Sequence, residues 1–256
     1  TTDLPIVLNS KPMIHDCDIT NNYVLIFDRP VTFNTSRRNK DENASDYPVV
    51  WDDNYSSRLG LLNRNTNEIK WIEVPNCFLF HVVNSYEDSS GKVILDFCRY
   101  DKLFDFNNPL PFGKKPFLTR WEIDIVKETC VEKLLDDRPM EFARIHPDLE
   151  GKEYRFSYIL NDGALNNLFK YDFLKDRNEV HHLGEHKKGA EPVFIPKIDQ
   201  TSEDSGCVVG FVYDQEVDKS EFIIIDAENF SEEPLARIQL PSRVPFGFHG
   251  SWINLD

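Results

Sequence analysis

A hairpin signature that returns about every fifty residues constrains this chain more than anything else in it. It is read in LGLLNRNTNEIKWIEV (59–74), TRWEIDIVKETCVEKLL (119–135), LFKYDFLKDRNEVHHL (168–183) and EFIIIDAENFSEEPLARIQL (221–240). Each segment is a strand ending in Asn or Asp, a polar turn and a second strand. Asn and Asp suit such turns because they tolerate turn dihedrals and bond their own backbone. Anchored on Asn63, Asp124, Asp172 and Asp226, the repeats are 61, 48 and 54 residues apart. A β-hairpin recurring every ~40–50 residues fits the blades of a β-propeller. A β-sandwich also holds many hairpins, but a spacing this long and regular suits it less well. Helical periodicity is scarce. Short β-branched and aromatic runs such as YVLIF (23–27), KVILDF (92–97) and CVVGFVY (207–213) dominate, with 15 Pro and 11 Gly punctuating them as turns.

A lone ionisable residue follows each hairpin, 17 to 23 residues after its Asn or Asp. These are His81 in PNCFLFHVVNSYED, Glu141 in RPMEFARI, Glu191 in GAEPVFIPK and His249 in VPFGFHGSWI, and His15 in KPMIHDCDIT is an equivalent near the start. The first strand of each propeller blade lines the central channel, so residues at equal phase point at a common axis. Neutral imidazoles gathered there make a metal-type donor set, and carboxylates commonly take the second ring N–H. Any one of these histidines alone reads more simply as a core residue satisfied by a backbone carbonyl. The shared phase lifts the set above that reading.

Composition removes other function classes. A formal net charge of -15 opposes nucleic acid and strongly anionic membranes. No apolar run reaches the ~18 residues that span a bilayer, and no signal peptide opens the chain. The five cysteines (17, 77, 98, 130, 207) never form a CxxC pair, so the expectation is five mostly buried thiols in a reducing, cytoplasmic setting. The segment HHLGEH (181–186) places His182 and His186 four apart, but Gly184 and the charged flanks mark it as a solvated loop between strands. DLEGKEY (148–154) and DENASD (41–46) lack the order of a calcium loop. Glu141 and Glu191 facing each other would suit glycoside hydrolysis, a reading that leaves the histidines idle.

The stretches PMIHDCDITNNYVLIF, WIEVPNCFLFHVVNSYED, LDDRPMEFARIHP, GAEPVFIPK and RVPFGFHGSWI resemble, in order and over essentially the whole chain, the carotenoid oxygenases. That family of carotenoid cleavage dioxygenases includes the lignostilbene dioxygenases and the retinoid isomerase of the retinal pigment epithelium. The resemblance implies an all-β, seven-bladed β-propeller whose axial Fe(2+) is held by four histidines, three of them oriented by glutamates. His15, His81 and His249 resemble the second, third and fourth ligands. Glu141 resembles the glutamate behind the third ligand, and Glu191 the one behind the fourth.

The matching stretches are those of the family's C-terminal half. The chain begins TTDLPIVLNS, without Met, and reads as a piece of a longer protein. The expectation is a single domain, residues 1–256, forming a partial propeller of about four blades. It would lack the N-terminal half that is its partner and one iron ligand, and would bind iron weakly or not at all alone. For the intact protein the resemblance implies O₂-dependent cleavage of a conjugated C=C bond in a carotenoid, apocarotenoid or stilbenoid. The partners implied are O₂ and an extended apolar or aromatic substrate. Phe78, Phe80, Phe246, Phe248 and Trp252 lie near the ligand positions and either line the substrate tunnel or are ordinary core aromatics. The polar loop 34–48 offers no patch for dipping into a membrane, which favours a more soluble substrate. The rival reading is a non-catalytic propeller acting as a binding module.

Overall fold

The computed structural model describes residues 3–34, 47–105 and 115–253. The polar loop singled out in the sequence falls largely outside them. Two compact units divide the chain, Thr1–Asp137 and Arg138–Asp256.

In the first unit, β1 (Asp18–Ile19), β2 (Tyr23–Asp28), β5 (Arg58–Asn63) and β6 (Ile69–Glu73) form an antiparallel sheet in the order β1-β2-β5-β6. Between β2 and β5 the chain makes a small ladder of β3 (Val31–Phe33) and β4 (Val49–Trp51). The next sheet joins β7 (Phe78–Glu87), β8 (Val93–Tyr100), β9 (Pro116–Asp124) and the first part of β10 (Thr129–Arg144). β10 passes into the second unit, where its last residues pair with β11 (Phe156–Asn161). β12 (Asn167–Asp172) and β13 (Arg177–His182) complete that sheet. The last sheet is built on β16 (Gly206–Asp214) and β17 (Lys219–Asp226). β18 (Ala236–Gln239) flanks β17, and both β14 (Lys187–Gly189) and β15 (Val193–Pro196) pair with β16. Counting β10 in both neighbours gives three four-stranded sheets and a last one of five strands, in which β14 and β15 share the place beside β16. No helix among the described residues is long and apolar enough to cross a membrane.

The turns show why the sequence folds this way. Asn63 Oδ1 accepts the amides of Asn65 and Thr66, Asp124 Oδ1 those of Val126 and Lys127, and Asp172 Oδ1 that of Lys175. Four residues after each anchor the backbone turns left-handed, at Asn67, Glu128 and Asp176 (φ 61°, 58° and 48°). The fourth copy of this turn follows Asp214, whose Oδ1 accepts from Glu216 and which leads to Asp218 at φ 51°. The expected anchor, Asp226, instead opens a longer connection between β17 and β18. Asp226 still holds the place in its sheet that Asn63, Asp124 and Asp172 hold in theirs, between the third and fourth strands, so the expected hairpin is present with a different turn.

Each unit has its own core. Leu25, Leu61, Ile72, Leu95, Phe97 and Trp121 close the first, and Tyr158, Leu160, Phe194, Val208, Ile225 and Phe230 the second. Each large side chain so buried contributes about 1.5–3 kcal/mol. Buried carboxylates beside these cores are pinned by arginines. Asp96 is gripped by both arms of Arg120 (2.7 and 2.7 Å), Asp172 by Arg155 (2.9 and 2.8 Å), and Asp28 takes Arg58 and the Tyr55 hydroxyl.

Two further expectations change. The five thiols are free, but only Cys77 and Cys98 are buried, and Cys17 is exposed. Burial pushes the Cys130 thiol up to about 12, which keeps it protonated. HHLGEH is not a solvated loop throughout. His181 belongs to β13 and is buried, with Nδ1 3.0 Å from the Phe230 carbonyl, and burial holds its pKa below the usual histidine value. His182 points outward beside Asn167, and His186 lies in the following turn near Glu216.

Candidate functional site

His81 lies on β7 where the strand departs from regular pairing. Leu79 pairs with Arg99 and Val82 with Phe97, so three steps on β7 face two on β8. Such a bulge places an extra residue in the strand and re-aims the side chains around it. The amide of Val82, beside the bulge, donates to Asp16 Oδ2 at 2.9 Å, while Asp16 Oδ1 accepts from the Cys17 amide at 2.9 Å. Asp16 therefore ties the irregular segment carrying His15 to the strand carrying His81. The two imidazoles meet edge to face, with centroids 5.3 Å apart and planes at 76°. Phe80 packs against His15 at 5.0 Å. The sequence reading did not single out Asp16.

In the second unit Glu141 sits at a matching irregularity. It pairs with Leu160, and Arg144 pairs with Tyr158, again three steps against two. Between them Phe142 adopts φ 58°, a left-handed backbone that costs a bulky side chain on the order of 1 kcal/mol. Buried Glu141 turns back to accept the Phe142 amide on Oε2 at 2.8 Å. Residues in sparsely populated backbone regions concentrate at functional sites.

His249 and Glu191 meet directly. Glu191 Oε1 lies 3.1 Å from His249 Nδ1, and Oε2 accepts the Gly250 amide at 3.0 Å and Arg144 Nη2 at 3.0 Å. A carboxylate can only accept, so Nδ1 carries the proton and the ring lone pair lies on Nε2. Phe142 packs against the same imidazole at 5.9 Å. Neither His249 nor Glu191 is in a strand, and neither is His15. Equal phase along the first strands of blades thus describes only His81 and Glu141.

A cavity of about 300 Å³ opens beside His249. Its walls are mainly apolar and include Phe246, Phe248, Trp252, Phe211, Phe222 and Val209. Phe246, Phe248 and Trp252 are exposed by roughly half or more, so they are wall residues and not core. Phe78 is the opposite case: it is buried with Val31, Tyr100 and Leu103. Phe80 stands between that cluster and His15.

The residues present suit a first-row divalent ion. The ring nitrogens that His15 and His81 offer lie within 4.8 Å of each other, near the ~3–4 Å needed by two nitrogens bonded at ~2.1 Å to one ion. In the second unit a neutral imidazole has its proton on the nitrogen that faces a buried carboxylate. Metal-ligating histidines are typically held in this way.

Residues 1–254 match the family described as retinal pigment epithelial membrane protein, and the chain belongs to that family. A carotenoid cleavage oxygenase of Mycobacterium tuberculosis is 28% identical over 303 residues, covering 98% of this chain and 60% of the relative. The apocarotenoid-15,15'-oxygenase of Synechocystis is 28% identical over 252 residues, covering 93% and 51%. The crystal structure of a cobalt-substituted Synechocystis ACO superposes with a TM-score of 0.86 at 27% identity, over 95% of this chain and 53% of that one. The chain thus spans about half to 60% of the length of these relatives. The all-β, partial-propeller fold expected from the sequence is the fold observed.

Proposed function

We propose that this chain supplies three of the four histidines of an iron(II)-dependent dioxygenase: His15, His81 and His249. When bound, ferrous iron supplies the redox chemistry by which O₂ adds across a conjugated C=C bond of a carotenoid, apocarotenoid or stilbenoid, giving two carbonyl products. The chain's own residues orient ligands and bind substrate. Glu191 keeps the His249 proton on Nδ1, and in this reading Glu141 performs the same service for His81. All three ligands are neutral, which leaves the full charge of the ion at the site. Phe246, Phe248 and Trp252 provide an apolar wall for an extended substrate beside that histidine.

The observation that carries the reading is the 3.1 Å contact between His249 Nδ1 and buried Glu191. Cobalt is the natural probe, since a Synechocystis relative has been crystallised with it. Anaerobic titration of residues 1–256 with Co(II) is expected to show weak binding that His81→Ala and His249→Ala each abolish. In the protein extended by the residues that complete the propeller, the same substitutions are expected to remove bound iron and C=C cleavage together. Unchanged metal content and turnover in His81→Ala would overturn the reading and leave a binding module.

A further inference from the structure

We infer that Arg144 is a positioning residue for His249, acting through Glu191 and through the peptide that follows the histidine. The inference rests on the reading of His249 as a metal ligand. Arg144 Nη2 donates to Glu191 Oε2 at 3.0 Å and to the carbonyl of Gly250 at 3.0 Å. Gly250 returns its own amide to the same Oε2 at 3.0 Å. A closed ring of contacts results, in which guanidinium, carboxylate and the Gly250 peptide hold one another.

The ring matters because a carboxylate with one strong partner can rotate. Were Glu191 held only by His249, either oxygen could face the imidazole and the ring could swing with it. With Oε2 occupied by a cation and an amide, Oε1 alone is presented to Nδ1. The carboxylate plane is then fixed, and so are the tautomer and direction of His249. The Gly250 carbonyl contact adds a second hold, on the main chain one residue from the ligand. Arg144 reaches this point because the bulge at Glu141–Arg144 displaces it by one position relative to β11. In regular pairing the side chain at 144 would emerge on the other face. Both contacts come from the one nitrogen Nη2, so a lysine keeps the charge and can make them, held less firmly on its more flexible stem.

The test reads the imidazole directly and needs no metal. With ¹⁵N-labelled histidine, two-bond proton–nitrogen spectra of the chain are expected to show His249 as a single Nδ1–H tautomer, assigned by its loss in His249→Asn. Arg144→Met is expected to give an averaged mixture of tautomers, and Arg144→Lys an intermediate spectrum. Because Arg144 acts largely through Glu191, Arg144→Met should change the spectrum less in Glu191→Gln than in the wild type, the remainder being the Gly250 contact. Co(II) affinity is expected to fall about tenfold to a hundredfold in Arg144→Met, the range for partners that orient ligating histidines. A wild-type tautomer pattern in folded Arg144→Met overturns the inference. If that variant does not fold, a wild-type spectrum in Arg144→Gln, which removes the charge, overturns it equally. If the protein extended by the residues that complete the propeller does not bind Co(II) either, the metal reading fails while the tautomer result still decides the role of Arg144.

Discussion

The two units hold their histidines by different means. In the first, His81 is set by the strand itself, through a bulge in β7, and one short acid, Asp16, clips the His15 segment to it. In the second, His249 lies on an irregular segment, and its direction comes from side chains: Arg144 holds Glu191, and Glu191 holds the ring. A backbone-set residue draws on the cooperativity of the whole sheet. A residue set by side chains depends on every member of a short chain of charged groups, so its geometry is lost at a single substitution. The difference teaches how each histidine should lose its placement.

The largest expected effect is in the second unit. Glu191→Ala strips one imidazole, one amide and a partly buried guanidinium of their shared acceptor, and should cost about 2–3 kcal/mol, discounted for the exposed part of Arg144. Denaturant unfolding followed by hydrogen exchange at Gly250 measures it. Asp16→Ala removes one hydrogen bond to the β7 amide of Val82 and should cost only about 1 kcal/mol. Exchange at Val82 should quicken while the rest of β7 and β8 stays protected. Equal losses in the two variants would erase the contrast between backbone-set and side-chain-set histidines.

The smallest effect separates the units by pH. His181 is buried in the second unit, and its pKa is lowered chiefly by burial, with Arg237 adding to the shift and the Phe230 carbonyl opposing it. The unfolded chain therefore takes up this proton first. The stability from a neutral His181 is complete above the ordinary histidine pKa and is lost as pH falls below it, toward the folded value. Between pH 7 and 6 the loss should be at most about 0.7 kcal/mol, the limit for one group with an ordinary histidine pKa in the unfolded chain. His181→Asn keeps a donor for the Phe230 carbonyl but does not titrate, so its stability should be flat over that window. A slope as steep as wild type in that variant would place the acid sensitivity elsewhere.

What was legible in the sequence follows the same division. Turn chemistry is local, so Asn63, Asp124, Asp172 and Asp226 announced their hairpins, the last through a longer connection. His81 and Glu141 were visible because an ionisable residue is costly among apolar strand residues. The bulges were not, since a bulge exists only between two strands and leaves no mark on either alone. Arg144 in MEFARI reads as an outward cation until the bulge turns it inward. His181 was misjudged because its neighbours Gly184, Glu185 and Lys187 gave the segment a loop's composition, while its own partner, the Phe230 carbonyl, is 49 residues away.

The placement of the indoles has an optical consequence. Trp51, Trp71 and Trp121 belong to the first unit, and each has a cation over its ring: Lys102 at 5.7 Å, Arg58 at 3.9 Å and Arg29 at 4.4 Å. Trp252 is the one tryptophan after residue 137, and it stands on the wall of the cavity beside His249. With the other three replaced by phenylalanine, the emission colour and quenching of this fluorophore would register whatever fills that space. The protein thus carries its own spectroscopic gauge of occupancy, one that a polyene or stilbenoid absorbing in the near ultraviolet would dim by energy transfer.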